Sequence, residues 1–173
     1  MIIVNSTIND INTIFELYEA GTTYQKSVSN KHWKGFERAL VEKEIEENRQ
    51  WKIIIDDQIA CVFATAYNDP FIWLGKDKDP SIYIHRIVTN PLFRGNGFTK
   101  HIVEWAKQFA KENGEKFIRL DTGSGNDKLN NYYVSCGFKY LGIKEYPDTD
   151  NLPKHYIGGS SSLFEIALPI DIL

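Results

Sequence analysis

The chain has 173 residues, of which 42% are hydrophobic and 25% charged, and its formal net charge is −3. These values are typical of one folded domain with a sizeable core, and we expect a single domain over residues 1–173. Lysines and arginines are mixed with aspartates and glutamates throughout, which excludes nonspecific nucleic-acid binding as the expected main activity.

Apolar residues recur every two residues in strands and about every 3.6 residues in helices. These spacings predict the element order β-α-α-β-β-β-α-β-α-β-β, a mixed α/β domain. The predicted strands are Ile2–Asn5, Trp51–Ile55, Ile59–Tyr67, Ser81–Thr89, Lys116–Asp121, Phe138–Lys144 and Ser161–Leu168. The predicted helices begin at Asn9 or Asp10, span Phe36–Asn48, run for roughly 16 residues up to Asn113-Gly114, and span Asn126–Ser135. We expect Gly21 to interrupt the first helix and Asn68–Pro80 to be a loop.

The two cysteines, Cys61 and Cys136, lie in unrelated contexts without metal-ligand spacing. A thiol in the apolar run around Cys61 is typical of a protein from a reducing compartment, so a cytoplasmic location is expected. No apolar run reaches the ~20 residues that a membrane span needs, and the first residues lack the pattern of a signal peptide. We therefore expect no contact with a membrane.

The segment Asn90–Thr99 carries the strongest functional signal. It follows a predicted strand and opens into an amphipathic helix, with Gly95 and Gly97 just before the helix begins. Glycines at this point let a ligand approach the backbone, and the first N–H groups of the helix have no partner within it. Together with Arg94, these groups predict a binding site for an anion such as a pyrophosphate.

A second segment strengthens this interpretation. Arg94-Gly95-Asn96-Gly97-Phe98-Thr99 is similar to the pattern Gln/Arg-x-x-Gly-x-Gly/Ala, and Asn126 through Tyr133 to Gly137-Phe138 is similar to Asn…Leu-Tyr-x-x-x-Gly-Phe. The two segments occur in the order, and with the helix and strand between them, of the GCN5-related N-acetyltransferase (GNAT) family. Ile82 to Phe138 resembles that family, although Thr99 stands where the family has glycine or alanine.

The resemblance implies a central mixed, mostly antiparallel sheet flanked by helices, with acyl-CoA in a V-shaped opening between two strands. It implies transfer of an acetyl group from acetyl-CoA to an amine, without a metal. The expected amine belongs to a small molecule, with a protein lysine or N-terminus as the alternative, and many members of the family are dimers. The residues implied in cofactor binding are Ile87, Val88, Thr89, Arg94, Gly95, Asn96, Gly97, Phe98, Thr99, Asn126 and Tyr133.

Roles in the chemistry follow from the same resemblance. Tyr133 lies five residues before Phe138 and aligns with the family's tyrosine, which protonates the CoA thiolate. His85 is a candidate base because its ordinary pKa of ~6.5 suits the task, and Asp121 and Glu145 are alternatives. By analogy with the fold, Trp33 and Trp73 would line the acceptor site. A noncatalytic acyl-CoA-binding or regulatory module on the same fold is the alternative function.

Overall fold

The computed structural model of the protein describes residues 1–29, 31–146 and 159–169. The strands are β1 (Ile2–Asn5), β2 (Gln50–Ile55), β3 (Gln58–Ala66), β4 (Ser81–Thr89), β5 (Phe117–Gly123), β6 (Lys139–Glu145) and β7 (Ser160–Ala167). The helices are α1 (Ile11–Val28), α2 (Arg38–Glu46), α3 (Pro70–Trp73), α4 (Phe98–Glu112) and α5 (Asp127–Ser135). The predicted order of strands and long helices is therefore confirmed.

The strands form one mixed sheet in the order β1-β2-β3-β4-β5-β7-β6. The pairs β1–β2, β2–β3, β5–β7 and β6–β7 are antiparallel. The pair β4–β5 is parallel, and its register joins Ser81–Tyr83 to Phe117–Arg119. The prediction of a mixed, mostly antiparallel sheet is confirmed. The V-shaped opening for acyl-CoA stays a prediction.

The chain divides into two compact units, the first of which comprises Met1–Thr65 and His85–Phe98. Its apolar core joins one face of α1 to α2, β3 and β4. The core residues are Ile11, Ile14, Leu17, Tyr18, Val41, Val62 and Val88. The apolar residues of α1 recur at helical spacing because that helix buries a single face against the sheet.

The second unit comprises Ala66–Ile84 and Thr99–Leu173. One cluster of its core contains Ile72, Trp73, Tyr83 and Tyr146. Beside it the guanidinium of Arg119, which is buried, donates to Glu165 Oε2 at 2.8 Å and to Asp79 Oδ2 at 2.8 Å. A buried cation needs such partners, since an unpaired charge away from water is costly.

Two local predictions are wrong. Gly21 does not interrupt the first helix, because α1 continues to Val28. A Cβ atom at Gly21 would lie 3.3 Å from side-chain atoms of both Trp33 and Val88, so close packing accounts for the glycine. The segment 68–80 is not only loop, since α3 and a 3-10 turn over Leu74–Lys78 lie within it.

None of the helices in the described part of the chain is long and apolar enough to cross a membrane.

Candidate functional site

The loop between β4 and α4 is anchored at its start by Asn90. The Asn90 backbone N–H donates to the carbonyl of Ala60 at 2.9 Å, and its side-chain amide donates to the carbonyl of Ile59 at 2.9 Å. The side-chain oxygen of Asn90 accepts from the N–H of Leu92 at 3.1 Å, which caps the short turn Pro91–Phe93. These bonds fix the point at which the loop leaves the sheet.

The turn before α4 depends on two glycines with a left-handed backbone. Gly95 has φ +88° and Gly97 has φ +63°, values that residues with a Cβ atom rarely adopt. The Asn96 side chain donates to the carbonyl of Phe93 at 2.8 Å and so closes the loop on itself. Among the described residues, apart from each glycine and its chain neighbours, no heavy atom lies within 4 Å of the position of a Cβ at Gly95 or Gly97. The backbone geometry, rather than crowding, therefore requires glycine at both positions.

The side chains that flank this turn differ in exposure. Phe98 and Thr99 are buried, so any contact of theirs with an anion at the start of α4 is made by the backbone. Arg94 is exposed, and its guanidinium carbon lies 5.0 Å from the centre of the Tyr24 ring. A cation over an aromatic ring gains about 0.5–1 kcal/mol at an exposed site. Tyr24 is therefore a residue of the candidate site that the loop motif did not indicate.

The strand edge predicted to bind the acyl-CoA arm begins at a backbone irregularity. Arg86 has φ +51°, in the left-handed region, although it lies within β4. Val88 is buried in the core of the first unit, whereas Ile87 and Thr89 are half-buried. Arg86 thus directly precedes the three residues predicted to bind the acyl-CoA arm.

The candidate bases have different proton affinities. Burial lowers the pKa of His85 to about 3, and the positive charges of Arg86 and Arg49 act in the same direction. Burial raises the pKa of Asp121 to about 6, against the hydrogen bond that its Oδ2 accepts from Ser161 Oγ at 3.0 Å. Glu145, the third candidate, is exposed. Of His85 and Asp121, Asp121 has the pKa better suited to a base near neutral pH.

Asp69 adds a second carboxyl group with a raised pKa to the second unit. Burial raises the pKa of Asp69 to about 7, and the negative charges of Asp121 and Asp77 contribute to the rise. The Asp69 N–H donates to Asp77 Oδ1 at 2.6 Å. Two interacting carboxyl groups release their protons in separate steps, because ionisation of the first opposes ionisation of the second. Nothing in the sequence around Asp69 indicated this interaction.

The two sequence-predicted residues of α5 have clear local contacts. Asn126 caps the helix, since its side-chain oxygen accepts from the N–H of Leu129 at 3.0 Å. The ring of Tyr133 packs against Phe164 and Phe138, with ring centres 5.2 and 6.1 Å apart. Tyr132, the neighbouring tyrosine, is exposed. The Tyr133 ring is thus held in a defined orientation by the core of the second unit.

The two tryptophans predicted to line an acceptor site lie in different units. Trp33 is half-buried, and its ring centre lies 6.0 Å from that of Tyr18 and 5.3 Å from that of Phe36. Trp73 is 4% exposed and packs beneath the Arg119 guanidinium, 4.9 Å from the ring centre. Trp33 keeps surface for a ligand, whereas Trp73 belongs to a core; their contact with an acceptor stays a prediction.

Comparison with known proteins gives a consistent result. A family model described as "Acetyltransferase (GNAT) family" matches residues 12–138. The chain is similar to a curated protein of Bacillus subtilis (strain 168) named "Uncharacterized N-acetyltransferase YesJ", with 26% identity over 102 residues. That match covers 57% of this chain and 57% of the relative.

Solved structures share the fold. A GNAT-family acetyltransferase from Listeria monocytogenes has 23% identity and a TM-score of 0.76, with coverage of 96% of this chain and 94% of that one. One from Streptococcus agalactiae has 18% identity and a TM-score of 0.75, with coverage of 98% and 96%. The structure of yncA, described as a putative acetyltransferase from Salmonella typhimurium with its cofactor acetyl-CoA, has 13% identity and a TM-score of 0.68, with coverage of 100% and 96%.

Proposed function

Because the chain belongs to the GNAT acetyltransferase family, we propose that it transfers an acetyl group from acetyl-CoA to an amine of a small molecule. The curated relative is named an N-acetyltransferase, and one structural neighbour is described with acetyl-CoA. A cytoplasmic location and a homodimeric state stay predictions.

The observation that carries the proposal is the backbone of the turn before α4. Two left-handed glycines, Gly95 and Gly97, precede the first turn of a 15-residue helix, and the exposed guanidinium of Arg94 lies beside them. Such a turn presents N–H groups and the positive end of a helix dipole to an anion. In our proposal these groups bind the pyrophosphate of acetyl-CoA.

The extended arm of acetyl-CoA carries amide groups, which pair with a strand edge as a peptide does. We assign that edge to the backbone of Ile87, Val88 and Thr89. The N–H near Val88 would then stabilise the oxyanion that forms on the carbonyl oxygen of the thioester when its carbon is attacked. Asn126, whose side chain caps α5, is proposed as a further contact to the cofactor.

The reaction is a direct attack in one ternary complex. The amine first loses a proton to a base, since an ammonium with a pKa near ~10 has no lone pair to attack with. The nitrogen then forms a bond to the acetyl carbon, and the bond between that carbon and sulfur breaks. The departing thiolate, with a pKa of ~8.5, takes a proton from the Tyr133 hydroxyl, and the second proton that the nitrogen gives up as the amide forms restores that hydroxyl. The products are the N-acetylated amine and CoA.

Among the candidate bases, we favour Asp121. A useful base is ionised at the working pH and still binds a proton well, which requires a pKa close to that pH. The pKa of Asp121, raised to about 6, fits this condition. His85, with a pKa lowered to about 3, would accept a proton only weakly. His85 remains the alternative, and the two are separated by the pH dependence described in the Discussion.

The first test is calorimetric titration of the protein with acetyl-CoA, for the wild type and Arg94→Ala. The wild type should bind, and loss of one guanidinium–phosphate interaction of about 1.5–3 kcal/mol should weaken binding by roughly 10- to 150-fold. Arg38→Ala is the matched control, because Arg38 is an exposed arginine in a helical ion pair with Glu42. Absence of any binding by the wild type would refute the proposal.

Turnover separates the enzyme from the alternative of a binding module. Thiol release from acetyl-CoA is followed with a panel of primary amines, small polyamines and amino acids. Release that depends on an amine supports the transferase. Binding of acetyl-CoA without release for any amine would favour a noncatalytic acyl-CoA-binding module on the same fold.

A further inference from the structure

A buried polar cluster lies behind the second half of β4 and plays no part in the proposed chemistry. We call it the Arg86 cluster, and it consists of Arg86, Glu44, Tyr18 and Gln50. The Arg86 guanidinium pairs with Glu44 and donates from Nε to the Tyr18 hydroxyl at 3.0 Å. That hydroxyl donates in turn to Gln50 Oε1 at 3.3 Å. All four side chains belong to the first unit.

Most of the cluster is enclosed by protein, and the Arg86 side chain is 11% exposed. Tyr18, Glu44 and Gln50 are 3%, 4% and 0% exposed. The Arg86 guanidinium carbon also lies 5.1 Å from the ring centre of Phe36 and 5.7 Å from that of Tyr18. A planar guanidinium suits this environment, since it stacks on rings and donates in several fixed directions at once. A lysine would reproduce the charge but not this set of contacts.

The backbone of Arg86 is in a conformation that its residue type disfavours. A left-handed backbone costs a residue with a Cβ roughly 1–2 kcal/mol, and it persists only where surrounding contacts determine it. Here those contacts are the bonds from the Arg86 side chain to α1 and α2. Stability alone does not explain them, since a buried ion pair is often no more stabilising than apolar residues of similar size.

Contacts from α1 also hold β4 at Val88, the residue that follows Ile87. The side chain of Val88 is buried in the core with Leu17 and Tyr18. It comes so close to Gly21 that a Cβ there would lie 3.3 Å from it. Ile87 thus lies between two residues whose side chains are held by the same helix. The backbone of this short segment has little freedom to rotate.

We propose that Arg86 is a positioning residue for acyl-CoA: anchored by Glu44 and Tyr18, it holds the left-handed turn that aims the backbone of Ile87–Thr89 at the pantetheine arm. This inference rests on the proposed function, since it assigns a cause to the geometry of the proposed strand edge. It makes two residues of α1 and α2, distant in sequence from the loop motif, determinants of cofactor affinity.

The test compares Arg86→Ala with Arg86→Gly. Both variants lose the cluster, but only glycine accepts the left-handed backbone without cost. We therefore expect acetyl-CoA to bind more weakly to the alanine variant than to the glycine variant by about 5- to 30-fold, the equivalent of the 1–2 kcal/mol conformational cost. A residue that only stabilises the fold would give the opposite order or no difference, because glycine costs more entropy on folding.

Two further variants separate an effect on acetyl-CoA binding from a general loss of stability. Tyr18→Phe keeps the ring and removes only the hydroxyl that accepts from Arg86, and it should weaken binding by about 2- to 10-fold, the value of one hydrogen bond. Lys52→Met is the control, because Lys52 forms a mostly buried ion pair with Asp10 at 2.6 Å in the same unit. It should lower the melting temperature without changing the affinity for acetyl-CoA.

The outcomes are distinct. If the wild type does not bind acetyl-CoA, the proposed function fails, and this inference fails with it. If the wild type binds but Arg86→Ala, Arg86→Gly and Tyr18→Phe bind equally well, the proposed function stands and the inference is wrong. Should Arg86→Ala fail to fold, as judged by circular dichroism, Tyr18→Phe decides alone: unchanged affinity overturns the inference, and weaker binding supports it.

Discussion

Replacing Asp121 by asparagine should remove the steeper part of the pH–rate profile, which is expected at acidic pH. Burial raises the pKa of this carboxyl group from 3.8 to about 6, so the protein contains a weak base that is ionised at neutral pH. An asparagine keeps an oxygen that accepts from Ser161 Oγ, whose distance from the carboxylate is 3.0 Å. The substitution therefore removes the ability to take up a proton while preserving the local hydrogen bond.

The size of the effect follows from the pKa. With a pKa of about 6, about 97% of Asp121 is ionised at pH 7.5 and about 9% at pH 5, a tenfold loss of active base. The amine substrate, with a pKa near ~10, adds its own slope of one log unit per pH unit. The slope of log kcat/KM should therefore increase from about one above pH 6 to about two below it. In Asp121→Asn, kcat should fall by about 100-fold or more, and the slope should stay near one.

Initial rates of thiol release at saturating acetyl-CoA, measured from pH 5 to 8.5, test this prediction with an amine identified in the screen. Glu145→Gln is the control, since it neutralises an exposed candidate carboxylate and should keep the break near pH 6. The reasoning is refuted if Asp121→Asn retains both the break and most of its activity. If His85→Asn then loses activity while Asp121→Asn does not, His85 is the base.

Three further predictions use other parts of the structure. Tyr133→Phe keeps the ring contact with Phe164, whose centre lies 5.2 Å away, and should lower kcat about 100-fold while the Kd of acetyl-CoA stays within about twofold. Tyr24→Leu removes the ring beneath Arg94 and should weaken acetyl-CoA binding about two- to fivefold in calorimetry, whereas Tyr24→Phe should not. The pKa of Asp69, raised from 3.8 to about 7, means that the folded state holds its proton more tightly. This contribution to stability is complete below about pH 4 and is lost as the pH rises through 7. It should lower the free energy of urea unfolding by about 2 kcal/mol between pH 5 and 7. Asp69→Asn should remove this part of the decrease and leave the smaller part that comes from the raised pKa of Asp121.

Each of these has a result that contradicts it. Unchanged turnover in Tyr133→Phe would mean that the thiolate takes its proton from another group or from water. Equal binding by the leucine and phenylalanine variants of Tyr24 would show that the ring does not orient Arg94. The control is Asp57→Asn, at an exposed site. If the wild type, Asp69→Asn and Asp57→Asn all lose the same free energy of unfolding between pH 5 and 7, burial of Asp69 is not the cause of that loss.

Much of the fold was predictable because its signals are local. Alternating apolar residues indicated the strands, and the helical spacing of Ile11, Ile14 and Tyr18 indicated α1. The glycines of the turn before α4 and the cap at Asn126 were also predicted, since both depend on backbone conformation within a few residues. The prediction at Gly21 was wrong because the requirement for glycine there is not local. It comes from the nearness of Trp33 and Val88, which no pattern in the sequence reveals.

The sequence by itself determined the order of elements, the glycine turn before α4 and the resemblance to a family, since each depends on contiguous residues. Only the tertiary structure decided which side chains meet. Arg86 pairs with Glu44, 42 positions away, and bonds to Tyr18, 68 positions away. The proton affinities of His85 and Asp121 were likewise decided by folding, because burial, the largest cause of both shifts, exists only once the chain has packed around them.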